Sequence, residues 1–155
     1  MLQFPYQPVP LIGPPAPSLP AATTDHWRPF VPLTVIGPSG HFRFFNRALV
    51  DPGSDDTIFP LAIAGRLAVS LRADHGHRVR WRGQIYPLQF GDVELQMTDT
   101  ITTFRWPAII GFSDAPISYR ILGYAGCLQF FDVTFRGDDH LVELEPNRSY
   151  PGNVH

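Results

Sequence analysis

Lysine does not occur in this chain; all 12 basic residues are arginine. Charge is sparse altogether, at 17% of residues, and the formal net charge is −2. That balance lacks the basic footprint by which nucleic acid or an anionic membrane surface is held, so neither partner is expected. A single cysteine, Cys127, excludes an intramolecular disulfide, and no oxidising compartment is implied. Its surroundings, YAGCLQFF, supply neither the histidine nor the orienting group that a thiol nucleophile needs, so it reads as a small buried apolar residue. The opening MLQFPYQPVP has no basic stretch and no apolar run long enough for a signal peptide or a membrane span. A cytoplasmic protein is the expectation. No internal repeat is visible.

Proline is abundant where those features are absent. Residues 1–24 hold seven of the 17 prolines, including PPAPSLP. Proline removes backbone donors and favours extended polyproline geometry, so residues 1–24 read as a proline-rich arm outside the core. Residues 25–155 then form one domain, of a length that buries roughly two-thirds of its unfolded surface.

From Trp27 the texture is β-branched and aromatic. PFVPLTVIG and HFRFFNRALVD, separated by GPSG, read as two paired strands. TIFPLAIAGRLAV places Ile58, Leu61, Ile63, Ala64, Leu67 and Ala68 largely on one helical face. Asp55, Asp56 or Thr57 would cap its start, with Pro60 in the first turn. HRVRWRGQIYPLQF turns at Arg82-Gly83, DVELQM alternates as a half-buried strand, and FRWPAIIGFSD is a shorter apolar run. YRILGYAGCLQFFDVTFRGDDHLVELEP predicts a strand, a short helix and a closing hairpin around residues 136–140. Many short strands with little helix predict an all-β, barrel-like domain. The 12 Phe and three Trp fall mainly at buried-strand positions, as core and not as base-stacking platforms.

Three residues in DHGH, namely Asp74, His75 and His77, have metal-ligand chemistry. Two ligands at that spacing make a weak signal, a complete site needs at least a third group placed by the fold, and the segment reads as a solvated loop tip. His140 reads as a hairpin-turn residue. Neither a metal nor a cofactor is expected.

The stretch RALVDPGSDDTIFP is where an apolar strand ends on an acid and turns at once. Asp-Pro-Gly is a common tight turn, since Pro presets φ and Gly takes the left-handed position. Taken alone, it makes Asp51 a surface turn residue. The other reading is that the turn holds one carboxylate at the mouth of a cleft.

ALVDPGSDDTIFP resembles the active-site segment of retropepsin-like aspartic proteases, an apolar strand running into Asp-Thr/Ser-Gly-Ala/Ser. RILGYAGCLQFF, some seventy residues later, resembles that family's second signature of two apolar residues, a glycine and a short helix. The resemblance spans residues 27–145 and is strongest to bacterial single-domain members. It implies a mainly β, closed-barrel acid-protease fold with one short helix and a homodimeric active site. It further implies Asp51 as the catalytic aspartate, Gly53 as the turn glycine and Ser54 as the small residue beside them. Asp55 and Asp56 match cleft-lining positions. Ile121, Leu122 and Gly123 match the motif packed behind the active-site loop, which that loop crosses in a ψ-shaped arrangement. LRADHGHRVRWRGQIY lies where the family carries a substrate-covering flap, with Gly76 as its expected tip.

Two positions depart from the family. Pro52 replaces the Thr or Ser whose hydroxyl bonds across the dimer axis, and Tyr124-Ala125 replaces the usual Arg and acidic or amide residue. One Asp-x-Gly-Ser turn supplies one carboxylate, so the implied peptide-bond hydrolysis needs two chains meeting at Asp51. The expected partners are therefore a peptide or protein substrate and a second copy of the chain. The alternative reading is a catalytically inactive retropepsin-like dimeric binding or structural module, because Pro52 removes the hydroxyl. The last reading is an unrelated β-domain with an ordinary turn at Asp51.

Overall fold

A computed structural model describes residues 1–154, apart from the side chains of residues 73–75 and 154. Its first strand, β1 (Leu2–Pro5), lies within the segment read as an arm. Leu2 and Phe4 are 0% and 5% exposed and belong to the main core, so for these residues the expectation of an arm outside the core is corrected. The physical reason is alternation: Leu2 and Phe4 point inward while Gln3 and Pro5 point outward, and Pro5 ends the strand. Next, β2 (Gln7–Pro10) and β3 (Asp25–Arg28) pair antiparallel. The proline-rich residues 11–24 connect them, mostly exposed.

The hairpin expected around GPSG is present as β4 (Phe30–Ile36) and β5 (Phe42–Val50). Between Val31↔Ala48 and Leu33↔Phe45 the register shifts, so β5 carries one extra residue there, a β-bulge. The helix expected from Ile58 is shorter than its periodicity suggests. Ile58–Pro60 forms β6, and the helix α1 covers only Leu61–Arg66. Ile58 and Phe59 are 5% and 1% exposed between two neighbouring strands, and burial on both sides suits extended β-branched and aromatic residues. Pro60, with ψ at 138°, is the residue before the helix and offers no side-chain cap.

A long hairpin follows, β7 (Arg72–Trp81) and β8 (Gln84–Thr98). Its tip is Arg82-Gly83, with φ of 49° and 80°, as the turn there was read. Gly76 lies within β7 at a register irregularity, so the tip expected at Gly76 is corrected to Arg82-Gly83. β9 (Thr103–Ser113) pairs with β8 over ten residue pairs. β10 (Arg120–Leu122) and a 3₁₀ turn at Leu128–Phe130 precede the closing hairpin of β11 (Phe131–Arg136) and β12 (Leu141–Pro146). β13 (Asn153–Val154) pairs with β9.

The domain is thus mainly β with one short helix. Pairings run β9–β6–β10–β5–β4–β8 and return from β8 to β9, with β7 and β13 attached outside that circuit. A separate sheet has the order β1-β12-β11. Trp106, Phe30, Phe59, Phe104 and Phe112 are the largest side chains wholly removed from solvent, as the aromatic strand positions predicted. Edge-on contacts join Trp106 to Phe131 at 5.0 Å and Phe45 to Phe59 at 5.5 Å. Among the described residues no helix is long and apolar enough to cross a membrane.

Candidate active site

β10 lies between β5 and β6, parallel to the first and antiparallel to the second. The chain therefore leaves β5 at Val50, loops through residues 51–57, and re-enters on the far side of β10 as β6. Asp51 stands at the start of that loop, half-exposed, and its backbone N–H donates to the Leu122 carbonyl at 3.0 Å. The Asp-Pro-Gly turn is tight: Ser54 N–H donates to the Asp51 carbonyl at 3.1 Å, and Gly53 N–H donates to Asp51 Oδ1 at 3.0 Å. Gly53 is not at positive φ, so the left-handed position expected of it is corrected; a type I turn needs none. One carboxylate oxygen is thus held by the backbone of its own turn. This orients the side chain without a cationic partner among the described residues.

The rest of the loop is fastened to residues 123–125. Tyr124 N–H donates to the Ser54 carbonyl and Ala125 N–H to the Asp55 carbonyl, both at 2.9 Å. Thr57 N–H donates back to the Ala125 carbonyl at 3.1 Å, and Ser54 Oγ donates to the Asp56 carbonyl at 2.8 Å. Asp55 makes no ion pair among the described residues; the crossing is secured by main-chain bonds, which do not depend on which side chains stand at 124 and 125.

Gly123 is the point of closest approach. A Cβ there would sit 2.2 Å from the Asp56 carbonyl oxygen and 2.7 Å from that of Ser54, so only glycine lets the two backbones cross. Thr57 completes the crossing from below, and sequence reasoning did not find this role. Its side chain is wholly buried, and its Oγ1 accepts the Gly123 N–H at 3.2 Å. Trp106 donates its Nε1–H to the Gly126 carbonyl at 3.0 Å. A threonine read as a helix cap and a tryptophan read as core gave no signal of these bonds.

Ile121 lies one residue before Leu122 and packs with Ile58 and Leu88; half-buried Val79, Phe90 and Ile117 lean on this group. Val79 lies on β7 close to the Arg82-Gly83 tip and opposite Tyr86, so one apolar wall joins the tip end of the long hairpin to the strand beside the Asp51 loop. Asp56 faces another way, onto a groove of about 580 Å³ shared with Phe90, Val93, Ile109 and Gln129; Asp51 does not line it. Exposed Tyr124 borders a second groove with Leu128, Phe131 and Asn147.

Of the residues expected at the site, Asp51, Gly53, Ser54, Asp55, Asp56, Ile121, Leu122 and Gly123 converge on this one crossing. Gly76 does not; it is exposed on β7. Among the possible metal ligands, the side chains of Asp74 and His75 lie outside the described residues, and the His77 ring meets Phe90 edge-on at 5.5 Å. His140 is in the closing turn, as read, and its ring also stacks on Trp27 at 4.9 Å. Cys127 is buried, which pushes its thiol well above the usual range and suits an inert core residue. Comparison of the chain with family models, with curated proteins and with solved structures returned no match.

Proposed function

We propose that this chain is a retropepsin-like aspartic endopeptidase whose closed-barrel subunits pair as a symmetric homodimer, one Asp51 from each. The observation that carries the reading is the crossing itself. An apolar strand delivers Asp51 to a turn that the Leu122 carbonyl and Gly123 hold from behind, leaving a half-exposed carboxylate with one oxygen already oriented. The apolar wall of Ile58, Ile121 and Val79 supports it too, because it offers a surface for a substrate side chain between the loop and the long hairpin.

Two Asp51 carboxylates brought together across a two-fold axis cannot both ionise and share one proton. The ionised member takes a proton from a water as that water attacks the peptide carbonyl. The protonated member donates to the carbonyl oxygen, and the pair titrates as a unit. The β7–β8 hairpin is the element that closes over the peptide and excludes bulk water, with Arg82-Gly83 at its tip.

Pro52 favours a second reading, a dimer of the same fold that binds without cleaving. It supplies no hydroxyl to grip the partner loop, and the adjacent Gly53 N–H is already taken by Asp51 Oδ1. One experiment separates the two. Purified protein is incubated with a mixed peptide library from pH 3 to 7 beside Asp51→Asn, with sedimentation reporting the oligomer. The expected result is cleavage by the dimer, lost in Asp51→Asn at unchanged association and melting temperature. A dimer that cleaves nothing assigns the binding module. Cleavage that survives Asp51→Asn, or that comes from a monomer, removes the proposal.

A further inference from the structure

The first half of β5 has a neighbour on only one side. β4 pairs with it from Phe42 to Leu49, whereas β10 covers the other edge only from Ala48 to Val50. Hydrogen bonding alternates along an antiparallel pair. The Gly37 N–H donates to the His41 carbonyl at 2.8 Å, so His41, Arg43 and Phe45 are the residues that bond towards β4. The N–H and C=O groups of Phe42, Phe44 and Asn46 therefore point to the open edge. The Asn46 carbonyl already shows this direction, since it accepts from Gln7 Nε2 at 3.4 Å. No strand among the described residues pairs with this edge at Phe42 or Phe44.

The side chains around the edge are as unusual as the backbone. Phe42 and Phe44 are 70% and 59% exposed on the outer face. On the other face two guanidinium groups share the Phe45 ring, Arg120 at 4.6 Å and Arg43 at 5.9 Å from its centroid. Neither forms an ion pair among the described residues, and Arg120 Nε is buried without an acceptor. Burial, then the charge of Arg43, lowers the Arg120 pKa, the mark of a cation held where no anion answers it. Arg47, by contrast, is satisfied by Gln7 Oε1 at 2.8 Å.

We propose that the β5 edge from Phe42 to Asn46 is a docking site for an extended acidic peptide segment, which adds to the sheet as a strand. Main-chain pairing supplies the affinity and the two faces supply the selectivity. Successive residues of an added strand point to opposite faces. One set of its side chains therefore lies beside Phe42 and Phe44 and is apolar, while the alternate set reaches Arg43 and Arg120 and is acidic. A second copy of this chain is disfavoured as the occupant, because it would bring more positive charge from its own Arg43 and Arg120 to an edge where no anion answers these groups. The site stands apart from the Asp51 loop and does not rest on the protease reading.

The test uses a fluorescent, end-blocked heptapeptide alternating valine and glutamate, titrated into the full chain and followed by polarisation. A valine–lysine peptide is the control. The glutamate peptide is expected to bind at least about tenfold tighter than the lysine peptide, and to weaken as salt is raised. Arg43→Glu is expected to lower its affinity about tenfold or more, and Phe44→Pro, which deletes one outward N–H, to abolish binding. Should Phe44→Pro not fold, N-methylating alternate residues of the glutamate peptide removes its bonding edge without touching the protein, and binding is expected to vanish. Asp51→Asn is expected to bind the peptide as the wild type does. Equal binding of the two peptides, indifference to Arg43→Glu, or full binding by the N-methylated peptide overturns the proposal. So does loss of binding in Asp51→Asn, which places the peptide in the acid loop. A self-association that Phe44→Pro abolishes also overturns it and gives the edge to a second copy.

Discussion

Thr57 shows how much of the Asp51 loop depends on a side chain that never meets solvent. Its Oγ1 accepts the Gly123 N–H at 3.2 Å and lies 3.4 Å from the Gly123 carbonyl. Replacing it with valine leaves a buried N–H unpaired in nearly the same volume. Thr57→Val is expected to destabilise the chain by about 1–3 kcal/mol, the desolvation cost of such a group, while Thr57→Ser retains most of the stability. Urea unfolding of the two variants measures the difference; equal midpoints would deny the hydroxyl its role. At this scale the sequence was readable where a residue's type is forced. Gly123 had to be glycine because carbonyl oxygens crowd its α-carbon, and Asp-Pro-Gly had to turn. Thr57 was not readable, because a threonine before an apolar run is equally consistent with a helix cap, and only the return of β10 supplies its true partner.

Among the elements, β1 alters the picture most. Composition argues that seven prolines keep residues 1–24 out of the core, yet composition averages over a segment and burial is decided residue by residue. Leu2 and Phe4 alternate with Gln3 and Pro5, and this short pattern suffices to dock a strand against β12. Leu2→Ala is therefore expected to cost about 2–4 kcal/mol by thermal or urea unfolding, as for a fully buried leucine. A value near zero would return the strand to the status of an arm. The α1 helix was misjudged for a related reason. Apolar residues from Ile58 to Ala68 satisfy a helical period, but a strand buried on both sides also reads as a continuous apolar run. The hairpins were legible because GPSG and Arg82-Gly83 announce their turns. Gly76 drew the flap tip to the wrong place, since an isolated glycine marks an irregular strand as readily as a turn.

For the molecule as a whole, the proposed dimer turns on the exposed face of the Asp51 loop, where Pro52 and Gly53 are open to solvent. If two such loops meet, Pro52→Thr restores a hydroxyl at the axis. It is expected to tighten dimerisation by about 1 kcal/mol, a fewfold fall in the dissociation constant seen by sedimentation. An unchanged constant would mean that the loops do not touch. The dimer was inferred from a count, one acid in one turn for chemistry that takes two. The strands themselves followed from local alternation, but the order in which they pair did not. That order joins residues far apart, as when β10 enters between β5 and β6.

The pairing of β1 with β12 carries that distance to its extreme. Gln3 bonds Glu143 through their side chains across 140 positions, and Leu2 stands opposite Leu144. Before these residues find their place, the chain must bring together segments 140 positions apart. Until then Leu2 and Phe4 have no shelter, and the loop that finally shelters them is among the slowest kinds to shut. Docking of β1 on β12 is therefore expected among the later events of folding.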